Sequence, residues 1–142
     1  MATLRALITN IKNIGTTRRL IGASTITQQV AKNFLLSSEV TFERKIKEAI
    51  LAIRIERAFS KKEILELYLN EIYLGNNSYG IAAAALNYFD KSLDDLTVDE
   101  AAFLATLPKA PSKYNPKTNY KRVLDRRNWV LNQMYKNGYL TT

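Results

Sequence analysis

Apolar side chains recur every three to four residues along almost the whole chain, the spacing of one face of an α-helix. Leu4, Leu7, Ile8 and Ile11 set the first such face, in a segment that stops by Gly15. Residues 15–23 (GTTRRLIGA) read as a basic loop. Thr25 and Gln28 have the spacing of a capping box, opening a helix through about Leu36 with Ile26, Val30, Phe34 and Leu35 inward. Ser37 and Ser38 are placed to cap a long helix to about Phe59 that turns Phe42, Ile46, Ala49, Ile50 and Ile53 inward. Ser60 and Glu63 repeat the capping box and open a helix from Lys61 to Leu74.

The turn cluster Gly75-Asn76-Asn77-Ser78-Tyr79-Gly80 breaks the pattern, and an alanine-rich helix from Ile81 to Phe89 follows. Thr97 and Glu100 cap a helix that ends at Pro108. All three prolines fall within residues 108–118. That stretch reads as an extended, ordered loop, because proline disfavours helix at the residue before it. The last helix runs from about Tyr120 to Asn137, with Val123, Leu124, Val130, Leu131 and Met134 inward and Gly138 just past its end. Seven helical segments, no strand pair and no internal repeat make this an all-α chain, and no linker divides it.

Composition narrows the chemistry. The 142 residues contain no His and no Cys. Ser-His-Asp and Cys-His catalysis, disulfides and almost all structural zinc sites are thereby excluded. An enzyme built from this chain works with Asp, Glu, Lys, Arg, Ser, Thr or Tyr, with or without a hard metal. The excess of 21 Lys and Arg over 13 Asp and Glu gives a net charge of +8, which favours polyanions. No stretch has the length and apolarity of a membrane span or signal peptide.

Four constellations stand out. Gly22-Ala23-Ser24-Thr25-Ile26-Thr27-Gln28-Gln29 puts hydroxyls and amides at a helix N-terminus, where the dipole suits an anion. On spacing alone it is a well-capped helix start. Arg44, Lys45 and Glu48 lie three and four residues apart, so one carboxylate sits beside two cations on one helical face. Such a cluster can bind a pyrophosphate, with Glu48 polarising a group or holding a metal; on its own it reads as a solvated salt-bridge face. Lys61, Tyr68 and Asn70 share a helix but not a face, so Tyr68 packs and Asn70 makes a buried structural hydrogen bond. Arg126 and Arg127 hold their helix to a neighbouring acidic residue, or bind phosphate.

In this order and at this spacing, GASTITQQ, RKIKE, KKEILELYLN and RRNWVL resemble four of the five motifs of glycosyltransferase family 51. That family comprises the peptidoglycan glycosyltransferase domains of bifunctional penicillin-binding proteins and the monofunctional transglycosylases. The resemblance covers essentially the whole chain. It implies a lysozyme-like, all-α fold and polymerisation of lipid II into β-1,4 glycan. The 4-hydroxyl of an acceptor attacks a lipid-pyrophosphoryl disaccharide with inversion. By the motifs, Ser24, Thr25, Gln28, Gln29, Lys32, Arg44 and Lys45 bind substrate. Glu48 is the second catalytic acid, acting directly or through a divalent cation such as magnesium or manganese. Lys61, Tyr68, Asn70, Arg126 and Arg127 hold the fold. The implied partners are lipid II, the growing glycan and the anionic outer face of the bacterial cytoplasmic membrane, with no nucleic acid.

Three departures go with the resemblance. Ala23 stands where the family usually has Gly, and Val40 where many members have Arg. No Glu-Asp-x-x-Phe-x-x-His-x-Gly occurs, the first motif, which supplies the principal catalytic Glu. Residues 1–142 are therefore expected to be the family domain without its N-terminal part and anchor. No Ser-x-x-Lys or Lys-Thr-Gly occurs either, so no β-lactam binding is expected. Two other readings fit the residues. One is a helix-turn-helix with Thr27–Ala31, a turn at Ser37–Ser38 and a recognition helix Thr41–Ile50. The other is a noncatalytic remnant that binds lipid II.

Loss of a general base typically costs about 10²–10⁴-fold in rate. The 142-residue chain alone is therefore expected to be inactive on purified lipid II. Turnover that Glu48→Gln abolishes would contradict this.

Overall fold

The computed structural model describes residues 24–35 and 41–141, and of Phe42 the backbone alone. The first expected helix, Ser37, Ser38 and Val40 lie outside the described residues. The elements are α1 (Ile26–Phe34), α2 (Phe42–Ala58), α3 (Lys61–Glu71), α4 (Ile81–Phe89), α5 (Val98–Leu104), a 3₁₀ turn (Leu107–Lys109) and α6 (Pro116–Lys136). Among the described residues the one β pairing is an isolated antiparallel bridge between Tyr73 and Tyr79. The chain divides into two compact units, residues 1–68 and 69–142, with the boundary inside α3.

In the first unit, α1 packs on α2. The Thr25 hydroxyl accepts from the Gln28 N–H and the Gln28 side chain accepts from the Thr25 N–H, closing the expected capping box. The starts of α2 and α3 are also capped by side-chain hydroxyls. Thr41 caps α2 through the Arg44 N–H, so this helix begins later than a cap at Ser37 or Ser38 would place it. Ser60 and Glu63 cap α3 reciprocally.

The inward faces differ from those expected. α1 buries Thr27, Val30 and Ala31, while Ile26 and Phe34 are exposed. α2 buries Glu48, Ala52 and Ile55, while Ile46, Ile50 and Ile53 are about half exposed. α2 buries the stripe that carries Ala52 and Glu48 rather than the one made of isoleucines. Val30, Ala31 and Ala52 let helices approach closely, and Glu48 can follow them inward only because its charge is paired, as described below.

The second unit is built on Leu74, Ala84, Ala85, Phe103, Leu104, Leu107, Tyr114 and Val123. Ala84 and Ala85 have no exposed surface, so α4 can pack closely there. Phe103 meets Tyr88 and Phe89 edge to face, with ring centroids 5.2 and 5.4 Å apart. The Tyr88 hydroxyl donates to the Leu74 carbonyl at 3.0 Å. Lys91 bridges to Glu100 at 2.9 Å, and Glu100 completes the capping box with Thr97 at the start of α5.

Two expected boundaries shift. α3 stops at Glu71 rather than Leu74, because the chain turns back so that Leu74 N–H donates to the Ser78 carbonyl and Gly80 N–H to that of Ile72. Residues 108–118 are not extended. A 3₁₀ turn and further turns fill them, and α6 opens at Pro116, whose missing N–H costs nothing at the first helical position. Asn115 caps it through the Lys117 N–H at 2.9 Å, and non-helical dihedrals at Asn119 kink it (φ −139°, ψ 45°). At its far end the Tyr139 N–H donates to the Met134 carbonyl and the Gly138 N–H to that of Tyr135, a Schellman closure with Gly138 at φ +78°.

Two glycines make different predictions. At Gly80 (φ +81°) an added Cβ would come within 2.4 Å of the Asn70 carbonyl oxygen, which is backbone and cannot swing away. Gly80→Ala is expected to destabilise the fold by about 3 kcal/mol or more in urea unfolding. At Gly138 (φ +78°) a Cβ meets nothing within 4 Å, so Gly138→Ala should cost only its backbone strain, about 1 kcal/mol. Equal costs at the two sites would contradict this difference.

Candidate functional site

The site grows from the spacing of three residues on α2. Arg44 and Lys45 stand four and three positions before Glu48, so all three side chains reach one point on the helix surface. Packing of α1 on α2 then closes over that point, and Glu48 keeps only 2% of its surface. Arg44 donates from both Nε (3.0 Å) and Nη2 (2.9 Å) to Glu48 Oε1. Lys45 Nζ donates to Glu48 Oε2 at 2.7 Å. This is a buried carboxylate with both oxygens occupied by charge-assisted bonds. The solvated salt-bridge face expected from spacing alone is corrected accordingly.

Burial pushes the Glu48 carboxyl upward. The hydrogen bonds and charges of Lys45 and Arg44 together outweigh it and hold the group below the usual carboxylate range. Glu48 is therefore ionised at neutral pH and carries no proton to give. Arg44 is largely covered (side chain 13% exposed), whereas the Lys45 side chain is 55% exposed. Lys45 Nζ also donates to Ser24 Oγ at 3.1 Å, across 21 residues of sequence. The result is an outward-facing ammonium held from two sides, by a buried anion and by a hydroxyl just before α1.

Of the residues singled out by sequence, Ser24, Arg44, Lys45 and Glu48 come together. Thr25 and Gln28 are committed to each other in the α1 capping box. Gln29 is half-buried and Lys32 is exposed in the last turn of α1; among the described residues Lys32 makes no ion pair. Lys61 lies at the start of α3, on the rim of an open cavity of about 580 Å³ lined also by Thr25, Ile26, Phe59 and Ile64. Tyr68 is buried, as expected, and burial raises its hydroxyl pKa. Asn70 is exposed and does not make the buried side-chain hydrogen bond expected of it; its carbonyl, tight against Gly80, is the structural part.

The paired arginines divide their work. Arg127 reaches Asp99 of α5 at 3.7 Å, the acidic neighbour expected for the pair. Arg126 instead stacks its guanidinium 3.9 Å over the Trp129 ring. The Ser24–Lys45 contact has no signal in the sequence, since only the fold brings those positions together.

Glu48 does not fit a resident divalent cation. Its two oxygens already take three donors from two cations, and a metal would have to displace one of them beside the other's charge. Among the described residues no three acidic side chains gather elsewhere to hold one.

Comparison with known proteins agrees with the resemblance. The family model described as Transglycosylase matches residues 1–135. The chain is 58% identical over 138 residues to penicillin-binding protein 1A of Rickettsia felis, covering 97% of this chain and 18% of that protein. It is 57% identical over 141 residues to penicillin-binding protein 1A of Aquifex aeolicus, covering 99% of this chain and 19% of that protein. The chain thus spans about a fifth of the length of these relatives. The crystal structure of penicillin-binding protein 1A from Haemophilus influenzae superposes with a TM-score of 0.56 at 39% identity, over 88% of this chain and 16% of that one. The fold class is the all-α, lysozyme-like one. These matches support neither the helix-turn-helix nor the noncatalytic remnant.

Breaking a buried ion pair from one side typically costs about 3–5 kcal/mol. Glu48→Gln, which keeps the shape, is expected to lose about 2–4 kcal/mol of unfolding free energy at neutral pH. Because the folded-state pKa of Glu48 is lowered, the wild-type advantage is full above the ordinary carboxylate value and fades as pH falls through the folded-state value. Urea unfolding of both proteins across the acid range checks this; an advantage that does not shrink toward low pH would contradict it.

Proposed function

This chain belongs to the transglycosylase family, and from that premise we propose that it serves peptidoglycan glycosyl transfer, binding the pyrophosphate of a lipid-linked disaccharide donor. The observation that carries the proposal is the Ser24–Lys45–Glu48–Arg44 cluster. When the acceptor 4-hydroxyl attacks the donor's anomeric carbon, the bond to the pyrophosphate breaks and negative charge grows on the leaving oxygens. An ammonium already fixed in place stabilises that charge without reorganising at the moment of reaction. Lys45 has that character: two of its N–H groups are tied to Glu48 and Ser24, and the exposed side leaves the third for a phosphate oxygen.

Glu48 in this scheme is a positioning residue. Ionised and fully hydrogen-bonded, it does not protonate the leaving group. It holds Arg44 and Lys45 at one point and offsets their mutual repulsion. No step is assigned to a metal at Glu48, and none of these residues is assigned the acceptor's proton. Gln29 and Lys32 extend the same side of α1 toward the donor's sugar and phosphate. Thr25 and Gln28 act indirectly, by fixing the start of the helix that carries Ser24 beside Lys45. Among the described residues no helix is long and apolar enough to cross a membrane. We place the site at the outer face of the bacterial cytoplasmic membrane, where lipid II and the growing glycan would meet it, with the net charge of +8 favouring an anionic surface.

One charge-assisted hydrogen bond to phosphate is worth about 1.5–3 kcal/mol, or roughly 10- to 100-fold in affinity. Lys45→Ala is therefore expected to weaken binding of a short-chain lipid II analogue by at least about tenfold by calorimetry. Ser24→Ala should weaken it less, by loosening Lys45 alone. Unchanged affinity in Lys45→Ala would overturn the proposal.

A further inference from the structure

We propose that the groove along the kinked first half of α6 is a second binding site, for an acidic saccharide: a sugar ring with a free carboxylate. The ligand's identity rests on the peptidoglycan function above, whose muramic acid rings carry this carboxylate free where no peptide is attached to it; the site itself rests on its own residues. The groove has a volume of about 770 Å³, and among the described residues no Ala, Val, Leu or Ile lines it. Its walls are Tyr120 and Trp129, with Lys121, Arg122, Asp125 and Arg126 between them. Three cations and one anion thus line it, and no ion pair among the described residues engages any of the four.

Arg126 lines the groove and, among the described residues, is the one with a buried side-chain polar atom left unsatisfied. Its Nε–H is buried without an acceptor, a costly state for a donor in a folded protein. The guanidinium plane is fixed by its stack on Trp129 at 3.9 Å, so its donors are held in a set direction. Arg127, one position on, is instead turned to Asp99 and Asn128. The two aromatic rings are open to solvent, Tyr120 at 65% and Trp129 at 49%. A ring face beside a fixed fork of donors suits a sugar that stacks on one and offers a carboxylate to the other. A lipid surface would instead call for an aliphatic, convex face. The kink at Asn119 displaces the first turn of the helix at the groove, next to Tyr120.

Trp129 is the sole tryptophan, so its fluorescence reports occupancy directly. The 142-residue protein would be titrated with the N-acetylglucosamine–N-acetylmuramic acid disaccharide carrying its free carboxylate. Parallel titrations would use the neutral N-acetylglucosamine dimer, inorganic phosphate and a short single-stranded oligonucleotide. The proposal expects a saturating change with the acidic disaccharide and affinity about tenfold weaker for the neutral dimer. Arg122→Ala and Tyr120→Ala, both at exposed positions, should each weaken binding by about tenfold. No saturation, equal affinity for the neutral dimer, or tighter binding of phosphate or oligonucleotide would overturn it. If the disaccharide titration fails while the lipid II analogue still binds, this site falls and the pyrophosphate function stands. If the titration saturates but the analogue does not bind, the groove is upheld and the pyrophosphate function falls.

Discussion

A carboxylate with 2% of its surface exposed has to be paired, and the arrangement around Glu48 follows from that constraint. Helical spacing supplies the partners. Arg44 and Lys45 precede it by four and three residues, so the same α2 surface that buries the anion brings its two cations. The packing of α1 on α2 supplies the burial, through small residues that let the helices close over the pair. Folding and site formation are thus one event in this unit. The interactions that let α2 bury an acid also aim an ammonium outward.

Buried ion pairs are poor stabilisers when compared with well-packed apolar side chains of similar volume. Leu in place of Glu48 would fill the same space and leave Arg44 and Lys45 free to splay. The advantage of Glu48 is position: a fixed cation pair costs no reorganisation when charge appears on a leaving pyrophosphate. Ser24 tightens this further, because a hydroxyl at the start of α1 ties the ammonium to a second element. The second unit is stabilised differently, by close alanine packing, edge-to-face aromatics and the Lys91–Glu100 bridge. There the charged groups left over on α6 gather in a groove rather than in the core.

Local signals were legible where the chemistry is local. The capping boxes of Thr25–Gln28, Ser60–Glu63 and Thr97–Glu100 and the closure at Gly138 stand where residue types and spacing place them. So do the ion pairs of Glu48, because residues three and four apart on a helix must meet. Which face is inward was not legible. α2 has apolar residues on two stripes, and hydrophobic periodicity favours the bulkier one, Ile46–Ile50–Ile53, whereas the structure buries Glu48–Ala52–Ile55. Periodicity counts a carboxylate as outward and cannot see that its partners travel with it. The start of α6 is hidden from the sequence pattern for a related reason. Three prolines read as a breaker, yet Pro116 sits at the first helical position behind an Asn cap, where proline is at home. The Ser24–Lys45 bond depends on tertiary placement and the groove along α6 on the kink at Asn119, neither of which the spacing encodes.

Glu48 is a buried carboxylate kept ionised by Arg44 and Lys45. Its side-chain carboxyl carbon can be followed by carbon-detected NMR through an acid titration. The expected midpoint lies below the ordinary glutamate value and moves upward in Lys45→Ala as one of the two cations is withdrawn. A midpoint at or above the ordinary value in the wild-type chain, or one indifferent to Lys45→Ala, would contradict it.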